Sequence, residues 1–301
     1  MRRREATTRT AREPSIRPGS AERIAFRGGA SLMRKYRLQD MSWMEAQEAF
    51  RLSDTVIFPV GTLHGHGPSP IGIDAISVDA IADRIGKKTG MMILPTLTYG
   101  EDDKMRDYPG SLAISQSTME AFCTDICRSL HHNGTRKVIM LNGHGGNREP
   151  LTRTGRNVRE LGMLVAIVEW WNITKRLQPE LCTDGTHIVE LAVALAAGGT
   201  DIADLRGGGY KGEWGTQPPL RKMFGDGIKP LGFNNFEFGG APVIIPVDAW
   251  DVDIASPPEV NKSDLEALRR RGEQIIDRAV EYVIAFAAEF QKVDVARALA
   301  Q

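Results

Sequence analysis

Strand-sized apolar runs that alternate with amphipathic helices, and Gly-rich turns directly after several of those runs, predict an α/β protein. The pattern is that of a single-domain three-layer α/β/α sandwich on a mostly parallel sheet, whose strands are apolar because helices cover both faces. Residues 42–51 read as a helix leading into a strand at 55–60, and 74–86 as a helix followed by an apolar strand at 91–95. The series continues with a helix at 115–132, a strand at 137–141, a helix at 149–161 and a strand at 164–170. An apolar helix then opens at Asp184 and stops at Gly198-Gly199. Ser263 with Glu266 makes a capping box ahead of a long final helix, whose stripe includes Leu268, Ile275, Ile276, Ala279, Val283 and Phe290. Between these helices, from about Arg206 to Asp253, the chain is rich in Gly, Pro and aromatics without clear period, the composition of functional loops. No internal repeat or low-complexity run interrupts the series.

Composition narrows the partners. The 301 residues are 42% apolar and 25% charged, with Lys+Arg and Asp+Glu equal at 38 each. Such a chain has no bulk positive field to gather phosphates, so nucleic acid is a poor partner. The longest apolar runs, such as 138–141 and 243–247, are far short of the roughly 20 residues that span a bilayer, so no membrane partner is expected. Three cysteines (Cys123, Cys127 and Cys182) without a secretory leader read as free thiols in a reducing compartment, and the cytosol is expected. Residues 1–36 form an Arg-rich tail, and the folded domain runs over 37–295. The first thirty residues carry eight arginines against three glutamates, and those glutamates count against an organelle transit peptide.

Four of the six histidines sit where a parallel sheet presents side chains to ligand. His64 and His66 lie in Gly61-Thr62-Leu63-His64-Gly65-His66-Gly67-Pro68, after the strand ending at Val60. Residues two apart in extended chain project to the same side, so both imidazoles can face one centre. Asp74 follows at a helix start, where a plain helix cap is the alternative. His144 lies in Asn142-Gly143-His144-Gly145-Gly146-Asn147, beyond the strand at 137–141, on the rim where open α/β sheets bind ligands. Those glycines do not form a dinucleotide-binding fingerprint, because Arg148 holds the sixth position. His187 and Glu190 are three apart and share a helix face near its first turn. Imidazoles and carboxylates so placed suit Zn²⁺ or Mn²⁺, with Fe²⁺ also compatible, and the lack of a Cys pair argues against structural zinc. His131-His132 read as a solvated helix end. No G-x-S-x-G elbow occurs, and Cys123 and Cys127 fit a buried helix face, so a Ser or Cys nucleophile is not expected.

Several motifs in register resemble the creatininase (creatinine amidohydrolase) family: Phe58-Pro59-Val60-Gly61-Thr62, His66-Gly67-Pro68, Gly72-Ile73-Asp74, the run from Leu94 to Gly100, Tyr108-Pro109-Gly110-Ser111 and the run from Leu141 to Asn147. The resemblance extends from about Met41 to Phe290. It implies a creatininase-like three-layer fold, one or two divalent ions per chain, a small-molecule substrate and a homo-oligomer, often a hexamer. By position it implies metal ligands at His66, Asp74 and His144, with Asp74 bridging two ions. His64 stands where the family usually has a glutamate ligand, and Met105 where it often has a histidine. Where the family tends to read His-Ala-Gly-x-x-Glu-Thr-Ser, the residue five beyond His187 is Ala192. Glu190 either substitutes from one helical turn's distance, as ligand or proton acceptor, or that ligand is missing. His187, with an unperturbed pKa near ~6.5, is the candidate to protonate the leaving group. Trp170 and Trp171 either offer a ring to a planar substrate or pack at a strand end. The activity implied is metal-assisted hydrolysis of a C–N bond in a cyclic amide or formamide. Two alternatives stand beside it: ring-opening C–C hydrolysis of a cyclic diketone such as a diketo-inositol, and a catalytically degenerate binding protein on the same fold.

Overall fold

In a computed structural model of the chain, residues 35–66, 69–106, 108–183, 186–200, 224–232, 234–248, 251 and 264–295 are described. Three parallel strands in the order β1-β2-β3 form the centre: β1 (Thr55–Val60), β2 (Lys137–Asn142) and β3 (Leu164–Glu169). Their registers run Thr55 opposite Lys137 and Lys137 opposite Leu164. Every residue of β1 and β2 is buried, which explains why these runs carry no polar alternation.

Side chains alternate between two cores. Val56, Phe58, Val60, Val138 and Met140 face one, with Met119, Cys123, Cys127 and Leu151 above them. Ile57, Ile139, Leu141 and Val168 face the other, with Ile81, Ile85, Val193, Ile276 and Val283. Helices α1 (Trp43–Leu52), α3 (Gln116–His132) and α4 (Arg148–Asn157) supply the first layer. Helices α2 (Ile73–Thr89), α5 (Trp170–Leu177), α6 (Thr186–Ala196) and α7 (Leu265–Gln291) supply the second, which completes the predicted sandwich. Burial pushes the Cys123 and Cys127 thiols up to about 12, as befits small core hydrophobes. Among the described residues no helix is long and apolar enough to cross a membrane.

Several expectations change in detail. The apolar run at 91–95 makes single parallel bridges rather than a strand: Ile93 to Ile57, with Leu97 to Val60 beyond it. Pro59 and Pro95 have no N–H to give, so a continuous ladder cannot form there. The strand at 164–170 ends one residue early, and Trp170 opens α5. The cap of α7 is Asp264, whose side chain accepts from the Ala267 N–H at 3.0 Å; Glu266 pairs instead with Arg269, and Ser263 lies outside the described residues. Part of the stretch at 206–253 is ordered as an antiparallel sheet, β4 (Lys229–Gly232), β5 (Asn235–Phe238) and β6 (Ala241–Ile244). Gly239 and Gly240, with φ of 58° and 82°, make the two-residue turn between β5 and β6, a left-handed pair that suits the hairpin twist. The predicted tail falls outside the described residues up to 34, and Tyr36 already packs on the core and donates its hydroxyl to Asp83 at 2.7 Å.

Candidate metal centre

The carboxyl ends of β1 and β2 and the first turn of α2 meet at one buried point. His64 and His66 extend from the segment after β1, His144 from the turn after β2, and Asp74 is the second residue of α2. Close backbone approach brings them together. A Cβ on Gly143 would collide with the Asp74 carbonyl, and one on Gly61 with the Ala75 backbone, so only glycine lets α2 dock against both strand ends. Asn147, fully buried, ties the rim. Its Nδ2 donates to the Gly61 carbonyl at 3.0 Å and its Oδ1 accepts from the Glu101 N–H at 3.0 Å.

At the point itself, Asp74 Oδ2 lies 3.1 Å from His64 Nε2, 3.0 Å from His144 Nδ1 and 3.3 Å from His66 Nε2. His64 Nε2 and His144 Nδ1 are themselves 3.1 Å apart. His64 Nδ1 donates to the Gly65 carbonyl at 3.2 Å, which in the neutral ring leaves Nε2 without a proton. A bare nitrogen then faces a carboxylate oxygen, and His66 Nε2 is buried without a hydrogen bond. Acceptors crowded at this spacing cannot satisfy one another by hydrogen bonds alone. They do fit a shared divalent cation, since donors bound at about 2.0–2.2 Å lie roughly 3 Å from each other. His64, His66 and Asp74 form one group of potential metal ligands, and His64, Asp102 and His144 a second.

The charge distribution follows. Burial works to raise the Asp74 pKa, but the charge on His66, with the other imidazoles packed around the carboxylate, outweighs it and holds it well below the carboxylate range. Burial opposes charging His66, yet Asp74 and Glu190 raise its pKa well above the ordinary value. Glu190 reaches the centre from α6, its Oε2 3.1 Å from His66 Nδ1, the ring nitrogen turned away from Asp74. Its pKa is lowered: burial acts upward, and His66 and His187 outweigh it. A carboxylate behind a ligating imidazole fixes that ring's tautomer and orientation.

The sequence-predicted residues divide accordingly. His64, His66, Asp74, His144 and Glu190 come together. His187 is at the edge, its Nδ1 3.6 Å from Glu190 Oε2 and its side chain 28% exposed. Ala192 is fully buried where α6 meets α7, its backbone carbonyl so near Gly272 that a Cβ there would collide with it, and two residues along α6 from Glu190 it does not share that residue's helix face. Trp170 is 3% exposed within the core, edge-to-face with the half-buried Trp171 at 6.1 Å. Met105 is buried. One residue escaped sequence reasoning. Asp102 is 2% exposed, with Oδ1 3.8 Å from His144 Nε2 and Oδ2 4.0 Å from His64 Nδ1. Burial, joined by Glu101 and Asp74, raises its pKa to about 7. Outside the centre, a cleft of about 680 Å³ runs past Glu101, Gly146, Arg148, Arg153 and Asn234.

A parallel α/β sandwich with imidazoles and acids gathered at its strand ends defines a class, the α/β proteins that carry a donor cluster of the divalent-metal type at the rim of the sheet. The particular family is the creatininases: the family described as creatinine amidohydrolase matches residues 39–196, more than half of the 301, and the chain belongs to it. Creatinine amidohydrolase of Pseudomonas putida is 25% identical over 150 residues, 45% of this chain and 58% of that protein. 3-Dehydro-scyllo-inosose hydrolase of Thermotoga maritima is 29% identical over 109 residues, 36% of this chain and 35% of its own. The mycofactocin precursor peptide peptidase of Mycolicibacterium smegmatis is 29% identical over 103 residues, 32% of this chain and 41% of its own. The chain thus matches between about a third and three fifths of the length of these relatives. A crystal structure of creatinine amidohydrolase superposes with a TM-score of 0.65 at 20% identity, covering 87% of this chain and 100% of that one. A manganese form of creatininase gives 0.61 at 22% identity, over 86% and 100%. These likenesses establish the fold.

Proposed function

We propose that this chain is a metal-dependent hydrolase that cleaves the C–N bond of a small cyclic amide or formamide. One observation carries the reading: three imidazole nitrogens meet a single buried carboxylate oxygen at 3.0–3.3 Å. His64, His66, His144 and Asp74 would hold the ion or ions, Zn²⁺ or Mn²⁺ by the nature of the donors, with Fe²⁺ also suited. Such an ion, when bound, makes a water reactive near neutral pH and polarises the carbonyl under attack. The chain's own residues supply the rest. Glu190 orients His66 and takes a proton from the attacking water, and His187 returns one to the leaving nitrogen. Asn147 and Gly143 keep the two strand ends at their spacing, and Trp171 gives an edge for a planar substrate. The active protein is proposed to be a cytosolic homo-oligomer.

The relative named for an inosose supports a second reading, ring-opening of a cyclic diketone. Incubating metal-loaded protein with cyclic amides, formamides and cyclic diketones separates the two. Turnover of an amide or formamide, lost in His66→Ala, supports the first; turnover of the diketone alone replaces it. A non-catalytic role follows if nothing is turned over by protein that holds metal.

A further inference from the structure

Every imidazole at the centre has two nitrogens, and the far ones are not alike. His66 gives its far nitrogen to Glu190 at hydrogen-bond distance, 3.1 Å. His144 turns its far nitrogen, Nε2, toward Asp102 Oδ1 at 3.8 Å, and Asp102 Oδ2 points at the far nitrogen of His64 at 4.0 Å. Those distances are too long for hydrogen bonds. Asp102 Oδ2 is buried and has no hydrogen-bond partner, although the side chain is almost wholly enclosed. A buried carboxylate oxygen without a partner costs stability, and a fold retains one where it has another use. The residue is placed with care: the neighbouring Glu101 N–H is held by Asn147 Oδ1, and the Asp102 carbonyl accepts from the Met105 N–H at 3.2 Å.

We propose that Asp102 is the outer carboxylate of the metal centre: when Nδ1 of His144 binds a cation beside Asp74, Asp102 closes on the Nε2–H of His144 and lends its negative charge to His64. Asp102 is then a positioning residue, the counterpart on β2's side of what Glu190 is for His66. The closure needed is under about 1 Å, the excess of these separations over an ordinary N–H···O bond. This inference rests on the metal-centre reading and adds a residue to it.

The role opposes stability to affinity, which makes it separable from a structural one. Asp102→Asn removes a buried charge whose Oδ2 has no hydrogen-bond partner in the metal-free protein. Its metal-free melting temperature should rise, by about 2–4 °C for a change near 1 kcal/mol. Its affinity for Mn²⁺, read from the free-ion electron paramagnetic resonance signal during titration, should fall about 10–100-fold at unchanged stoichiometry. Asp102→Ala should lose at least as much affinity, and Asp102→Glu should regain part of it. Wild-type affinity in Asp102→Asn would overturn the proposal. So would a variant that melts lower without metal, which marks a structural residue, or one that binds one ion fewer, which marks a direct ligand. If the wild type itself binds neither Mn²⁺ nor Zn²⁺, the metal-centre reading fails, and that result is distinct from all of these; if it binds Zn²⁺ alone, the same comparison is read with Zn²⁺ by competition with a chromogenic chelator.

Discussion

Helix α2 carries two acidic sites on a single element, and their partners differ in kind. Asp79 and Asp83 face Arg37, with N–O distances of 2.9 Å to each. Tyr36, Thr96 and Lys87 add hydrogen bonds or ion pairs. An arginine is always charged and presents only donors, so this cluster is complete as it stands. Asp74, one turn or so earlier, faces three imidazoles that can each turn a lone pair inward. The first site closes a loop onto a helix, and the second is an acceptor cage that wants a cation. Burial sharpens the contrast: the Asp74 side chain is 5% exposed, those of Asp79 and Asp83 41% and 23%. Acid count alone does not mark a metal site; the protonation freedom of the partners does.

The largest effect that would break this contrast is at Asp74. Asp74→Asn keeps the shape and removes the shared anionic oxygen. It should lower kcat/KM by more than about 100-fold, beyond what outer partners of metal ligands cost, and strip the metal measured by elemental analysis. Circular dichroism should show the fold intact, and an active, metal-replete variant would refute the assignment. Next is Gly143→Ala, which forces a Cβ into the Asp74 backbone carbonyl. Overpacking there should cost about 1–3 kcal/mol in a denaturant melt and weaken metal binding with it, because relief requires α2 to move.

Arg37→Ala tests the other site. It should destabilise by about 1–2 kcal/mol, a figure held down by the exposure of Asp79, and leave turnover and metal content unchanged. Acid titration refines it. Burial acts to raise the Asp83 carboxyl, but hydrogen bonds from Lys87, Tyr36 and Arg37 outweigh it and hold it at about 2. Asp79 is lowered for the same kind of reason, chiefly by Arg37. Carboxyls with folded pKa values below the unfolded ~3.9 contribute stability that is full above that value and disappears as pH falls through the folded one. Between about pH 4 and 2 the wild type should lose stability more steeply than Arg37→Ala, and parallel curves would show that the pair contributes little. The smallest effect is at sulfur. Cys123 and Cys127 are fully buried with raised pKa values, so a bulky thiol reagent should modify only the half-buried Cys182 in the native protein, without loss of activity.

Much of this was visible in the residues. The strands β1, β2 and β3 are apolar runs of the right length, and the imidazoles follow two of them directly, so the centre's membership could be read from spacing and strand ends. What spacing could not supply was the third dimension. Asp102 sits in Glu101-Asp102-Asp103, a run that reads as a solvated surface, and only the docking of that loop on Asn147 buries it. The spacing at the third cluster leaves Glu190 as either a substitute or no ligand at all, and only the placement of α6 brings its carboxylate to His66. Trp170 looked like a strand end and is the first residue of α5, packed in the core. The hairpin at Gly239-Gly240 falls in the stretch whose composition reads only as loop, because β4, β5 and β6 are four residues each and too short to show a period.

Elemental analysis of protein purified without chelator, paired with its melting temperature before and after loading, tests the cage at Asp74 most directly. At least one equivalent of Zn²⁺ or Mn²⁺ per chain is predicted, with a gain near ~2.7 kcal/mol when free metal stands at 100 times its Kd. Less than about half an equivalent, with no rise in melting temperature on adding either ion, would contradict it.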